Sequence, residues 1–238
     1  MVREDCFMLG YLIWHGEGRP RAVLERRLIG GAWFLVLEAW GSQRRLSRRV
    51  KRGLQAMAEH GIRRWIMDPE WPKIWRDGLP QVDEQALRRA LLPRLLDWLA
   101  EHEGLYLGGA AVELSAPWAD QPVWEAARVI SRRCRYLRLR MENADALRDD
   151  LWRRYGIAAG GEGTAALQVC FGEPVGDAPA LLLGPGCGQR QKAEYAVPET
   201  VAEKLATYPV TSQLVAALWE CGVLKTGEIR PKSLDFHA

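Results

Sequence analysis

Residues 105–156 read LYLGGAAVELSAPWADQPVWEAARVISRRCRYLRLRMENADALRDDLWRRYG, and their pattern decides the fold. Leu105 to Leu114 is apolar and strand-like, Ser115 to Asp120 reads as a loop, and Pro122 suits the first helical turn, where its missing N–H costs nothing. Val123, Ala127, Ile130 and Cys134 recur at helical spacing, and Tyr136 to Met141 alternates as a strand. Asn143 is placed to cap a second helix with a stripe of Leu147, Leu151 and Tyr155, which Gly156 stops.

Strand, helix, strand, helix with short connections is the grammar of a parallel α/β sheet. The runs Leu167 to Phe171 and Ala180 to Leu183 fit two further buried strands. The expectation for 105–238 is therefore a Rossmann-like, mostly parallel sheet. Helices are expected from about Pro198 to Leu205 and from Thr211 to Cys221, and the tail is polar.

Residues 1–104 read as an N-terminal α/β lobe beginning in an antiparallel hairpin. Apolar runs flank Gly30-Gly31, and a two-glycine turn supplies the positive φ angles that a tight hairpin needs. Two or three antiparallel strands are expected there. Leu46, Val50, Leu54 and Met57 then mark a helix ended by Gly61, and Ile62 to Met67 reads as a strand. A loop containing Pro69, Trp71, Pro72 and Trp75 leads to a long helical pattern from Asp83 to Glu103, which Pro93 should kink or split.

Composition places the chain among ordinary globular proteins, with 48% hydrophobic and 26% charged residues. The run from Cys6 to Trp14 is too short and too interrupted for a signal peptide, and no segment approaches the ~18 apolar residues of a membrane span, so a soluble, cytoplasmic protein is expected. The five cysteines (Cys6, Cys134, Cys170, Cys187, Cys221) form no C-x-x-C pair. The histidines His15, His60, His102 and His237 show no metal-ligand spacing, so neither disulfides nor a metal is expected. Cys187, in a glycine-rich turn near Arg190 and Lys192, reads as an exposed thiol.

A dinucleotide site needs glycines between the first strand and first helix, so that the backbone can approach the pyrophosphate. Here that connection holds Ser115, Trp118 and Asp120, a bulky ring and an acid where phosphate would lie, and no cofactor is expected. Glu142 sits where such folds place an acid for a ribose hydroxyl, although beside Asn143 it also suits the dipole of a helix N-terminus. Gly184, Gly186 and Gly188 form the densest glycine cluster, but it lacks a P-loop ending and reads more plainly as a surface turn.

No catalytic constellation is apparent, so the leading reading is a non-catalytic binding or regulatory protein with a degenerate Rossmann-like domain. Two alternatives stay open. One is an enzyme or nucleoside-like small-molecule binder using the cleft at the strand ends, built from Ser115, Trp118, Asp120, Glu142, Asn143, Gly184, Gly186 and Gly188. The other is nucleic-acid binding through the basic helix at 44–52, with Arg44, Arg45, Arg48, Arg49 and Arg52 on phosphates. The near-balanced charge and the absence of a nucleic-acid motif argue against the second, since arginines are also the ordinary solvated face of an amphipathic helix. Of the eleven tryptophans, Trp71 and Trp75 in their loop suit anchoring to a partner protein.

Overall fold

The computed structural model describes residues 9–76, 78–160, 164–205 and 207–236. Cys6 and His237 lie outside them. In chain order the elements are β1 (Leu9–His15), β2 (Arg21–Ile29), β3 (Ala32–Trp40), α1 (Gln43–Glu59), β4 (Trp65–Met67), α2 (Gln85–Ala90), α3 (Leu92–His102), β5 (Ala111–Trp118), α4 (Gln121–Ser131), β6 (Tyr136–Glu142), α5 (Asp145–Tyr155), β7 (Leu167–Cys170), β8 (Ala180–Leu182), α6 (Cys187–Arg190), β9 (Gln191–Ala196), α7 (Glu199–Lys204), α8 (Ser212–Glu220) and β10 (Arg230–Phe236).

They divide into two compact units. One comprises residues up to Asp83 together with Val197–Ile229, and the other Glu84–Ala196 together with the segment from Arg230. This differs from a boundary at 104, and the contacts give the reason. Arg88 of α2 binds Gln191, and Asp97 of α3 pairs with Arg133 at 3.0 Å, so both helices belong with the strands that follow them. Residues 197–229 turn back to the first unit, where Gln213 accepts from the Met67 N–H at 3.3 Å and Arg64 pairs with Glu220 at 2.7 Å.

The first unit is a mixed sheet in the order β2-β3-β1-β4. β2 and β3 form the expected antiparallel hairpin, with Gly30 and Gly31 at φ of +61° and +108°, both positive as its turn requires. β1, by contrast, runs parallel to β3 and β4. Leu9 to Ile13 is apolar and buried without alternation, which suits a central strand, whereas β2 alternates and suits an edge. Leu46, Val50 and Met57 of α1 close the core over Leu12, Leu35 and Leu37, joined by Trp65, Trp71 and Trp75.

The second unit carries a wholly parallel sheet in the order β6-β5-β7-β8, the Rossmann-like arrangement. Val123, Ala127, Ile130 and Cys134 are buried, as are Leu147 and Leu151, so both helical stripes face the core. Pro93 splits the long helix, with Leu91 as the break and the proline in the first turn of α3. β5 starts later than its apolar run, because Gly108-Gly109 folds back into turns in which Gly109 N–H donates to Tyr106 O and Ala110 N–H to Leu107 O. It also ends later: pairing continues to Trp118, so the connection to α4 is only Ala119-Asp120. The tail is not a loose polar end, since β10 pairs antiparallel with β9.

Candidate functional site

In an open parallel sheet ligands bind beyond the carboxyl ends of the strands, where the strand order reverses. Here the reversal lies at β5, flanked by β6 and β7. Most of the residues singled out from sequence come to this edge. Ser115 is buried and pairs in register with Arg140 of β6 and Cys170 of β7. Trp118 follows, 63% exposed, and so does not plug the strand ends. Directly across from it in register stands Glu142, which is exposed. At the start of α4 a shallow depression of about 410 Å³ is lined by Ala119, Gln121, Trp124, Glu125 and Arg128.

Asp120 has a specific task here. Its backbone is extended and its carboxylate accepts from the Val123 N–H at 3.1 Å, capping α4. Pro122 lies in the same turn and has no N–H to offer. The positive end of the helix, which a phosphate would use, is thus already met by a carboxylate of the chain itself.

Asn143 is not the cap of α5. That position falls to Ala144, and Asn143 instead takes φ +54°, the left-handed turn that asparagine tolerates best among residues with a side chain. Gly184 is buried beside Phe171, where a Cβ would come within 2.0 Å of the Phe171 carbonyl oxygen. The Phe171 N–H in turn donates to Ser115 O at 2.8 Å, which ties this glycine to the same edge. Gly186 supplies a positive φ of +71° for the turn, and Gly188 packs on the Glu84 carboxylate instead. Cys187 is fully buried, contrary to its expected exposure, because the chain coils into α6 from it. Burial pushes the Cys134 thiol up to about 11 and raises that of Cys170, so neither is poised as a nucleophile.

Two polar clusters escaped the sequence reading. In the second unit, fully buried Arg88 donates to Gln191 Oε1 at 3.1 Å, to the Gln191 carbonyl, and to Glu84 at 3.2 Å. The Gln191 amide in turn reaches β8: its Oε1 accepts from Leu182 N–H at 3.0 Å and its Nε2 donates to Ala180 O at 2.8 Å. The available signal was a Glu–Arg pair at i,i+4 beside the Leu87, Leu91 stripe. In the first unit, His15 Nε2 donates to Glu38 at 2.7 Å while its ring stacks on Trp40, and Arg27 binds both Glu38 and Glu25. Burial alone would raise the Glu38 carboxyl, but the hydrogen bonds from His15 and Arg27 outweigh it and hold the group below its ordinary value.

Arg44, Arg45, Arg48, Arg49 and Arg52 line the exposed side of α1, with Arg49 donating to Pro20 O. Trp71 and Trp75 are not on the surface. Each is at most 5% exposed and packs edge-on or tilted against Trp14 or the other, because the proline-containing loop folds under the sheet rather than out from it. Among the described residues no group of three or more His, Cys, Asp or Glu is placed to hold a metal ion, and no helix is long and apolar enough to cross a membrane.

No protein-family model and no curated protein matches the chain. Among solved structures, a shikimate 5-dehydrogenase-like protein matches at 15% identity and a TM-score of 0.27, over 71% of this chain and 67% of that one. The second unit is Rossmann-like by its own strand order.

Proposed function

We propose that this chain is a binding or regulatory protein whose Rossmann-like unit holds no dinucleotide. The carrying observation is the Asp120 carboxylate on the N-terminus of α4, at the point of the sheet where a pyrophosphate would have to lie. A bound phosphate there would face that carboxylate and find Pro122 where a donor is needed. A thermal-shift screen with NAD+, NADP+, FAD and ATP tests the reading. Saturation a hundredfold above Kd stabilises a protein by about 2.7 kcal/mol, which moves its melting point by several degrees. No such shift is expected, and one from any of the four compounds would sink the proposal.

A second reading rests on a different pair. Exposed Trp118 and exposed Glu142 stand opposite each other at the ends of adjacent strands, a ring for stacking beside a carboxylate for hydroxyls. This suits an uncharged nucleoside better than a nucleotide. Saturable heat on titration with adenosine, lost in Glu142→Ala, would support it, and no heat from adenosine or other nucleosides would remove it.

A further inference from the structure

The outer edge of β2 is nine residues long and belongs to the first unit's sheet. Ile29 and Ala32 flank a two-residue turn and so form a hydrogen-bonded pair, which makes the odd-numbered residues of β2 the ones bonded to β3. Ala22, Leu24, Arg26 and Leu28 therefore turn their N–H and C=O groups outward. Leu28 is 57% exposed, and Trp33, under the Arg26 guanidinium at 4.5 Å, is 45% exposed. A long edge with outward donors, acceptors and exposed apolar side chains is a template for another strand.

We infer that this edge pairs antiparallel with the β2 edge of a second copy of the chain, about an axis through Arg26. The register follows from the side chains. Outward residues must meet outward residues, so only registers that pair even with even positions are possible. Centring on Glu25 sets Glu25 against itself and Val23 against Arg27. Centring on Leu24 sets Arg21 against Arg27 and Val23 against Glu25. Centring on Arg26 sets Glu25 opposite Arg27 twice, Leu24 opposite Leu28 twice and Val23 opposite Ile29 twice. Its one like-charged pair is Arg26 with itself, and each of those guanidiniums is drawn sideways over Trp33. Glu25 and Arg27, already paired within each chain, thus also meet opposite charges across the axis, while Leu24 and exposed Leu28 cover one another.

The outer edges of β4 and β6 lack this combination. β4 has three residues and is extended by a bridge between Trp65 and Gln81, and β6 carries Arg138 and Arg140.

Sedimentation equilibrium of the full chain, from low micromolar to submillimolar, is expected to show a two-chain species. Glu25→Lys places a lysine opposite Arg27 at two points and should weaken association at least roughly tenfold, whereas Glu25→Gln, which also loses the pair with Arg27 inside each chain but adds no positive charge, should weaken it less. Arg26→Cys puts two cysteines across the axis at a Cα separation of about 5.5 Å, within disulfide reach, so mild oxidation should give a linked dimer that the native chain does not form. A chain that stays monomeric throughout, or a dimer that keeps full affinity in Glu25→Lys, would overturn the assignment.

Discussion

The two four-stranded sheets treat their last strands in opposite ways. β8 ends the parallel sheet, yet its outward groups are not left open: the Gln191 amide answers Leu182 N–H and Ala180 C=O as a neighbouring strand would. Arg88 then fixes that amide from behind, buried and joined to Glu84. β2 ends the mixed sheet with no such cap among the described residues, and its charges lie in a pattern that complements itself. An edge can be silenced by one side chain held rigidly, or kept for a matching edge, and this chain does both.

The sharpest way to break the contrast is to remove the cap. Gln191→Ala leaves Leu182 N–H and Ala180 C=O of β8 without their partners and takes one acceptor from the Arg88 guanidinium, which keeps Glu84 and the backbone carbonyl of residue 191. Leaving a buried backbone group unpaired costs about 1–3 kcal/mol, so for two of them urea unfolding should show a loss of about 3–4 kcal/mol. A loss under about 1 kcal/mol would mean that the amide closes nothing.

Proline on the open edge gives the next effect. Glu25 donates inward to β3, so Glu25→Pro forfeits a ladder bond and should cost about 2–3 kcal/mol. Arg26 donates outward, so Arg26→Pro should cost less than about 1 kcal/mol while abolishing pairing with a second copy. Equal losses from the two would contradict the assigned alternation.

The smallest effect concerns Glu38, which ties β3 to His15 and Arg27. Its folded carboxyl titrates below the ordinary 4.5, so on acidification the unfolded chain takes up the proton first. The contribution is complete above about 4.5 and disappears as pH falls through the folded value. Glu38→Gln should flatten the acid limb of the stability profile by under about 1 kcal/mol, the scale of a pair screened by water. An unchanged acid limb would show that the pair contributes nothing.

Helices and the parallel β5-α4-β6-α5 run were legible because their signals are local: stripes at helical spacing, glycine stops and a proline that could only sit in a first turn. What escaped was set by distant partners. β9 alternates correctly, but its buried positions are Gln191, Ala193 and Tyr195, and a glutamine in a strand reads as exposed until Arg88 and β8 are seen around it. Trp71 and Trp75 looked like surface anchors because their loop is rich in proline, yet the loop tucks beneath the sheet. Of the site, Asp120 was readable as an acid in the wrong place for phosphate, and its cap on α4 gave that acid a structural purpose. Asn143 was misread, since capping and left-handed turns draw on the same residue type.

Each unit is completed by a segment that lies beyond the other in sequence: Val197–Ile229 returns to the first and the strand from Arg230 to the second. Neither can therefore be cut out as a continuous piece, and a truncation at 104 would sever α2 and α3 from their own sheet. The same order imposes a sequence of events during synthesis. β9 emerges from the ribosome and must wait, its edge unmatched, until thirty-three residues of the first unit have followed it before β10 arrives. That interval is when nascent chains of this protein are most exposed to mispairing or to capture by a chaperone.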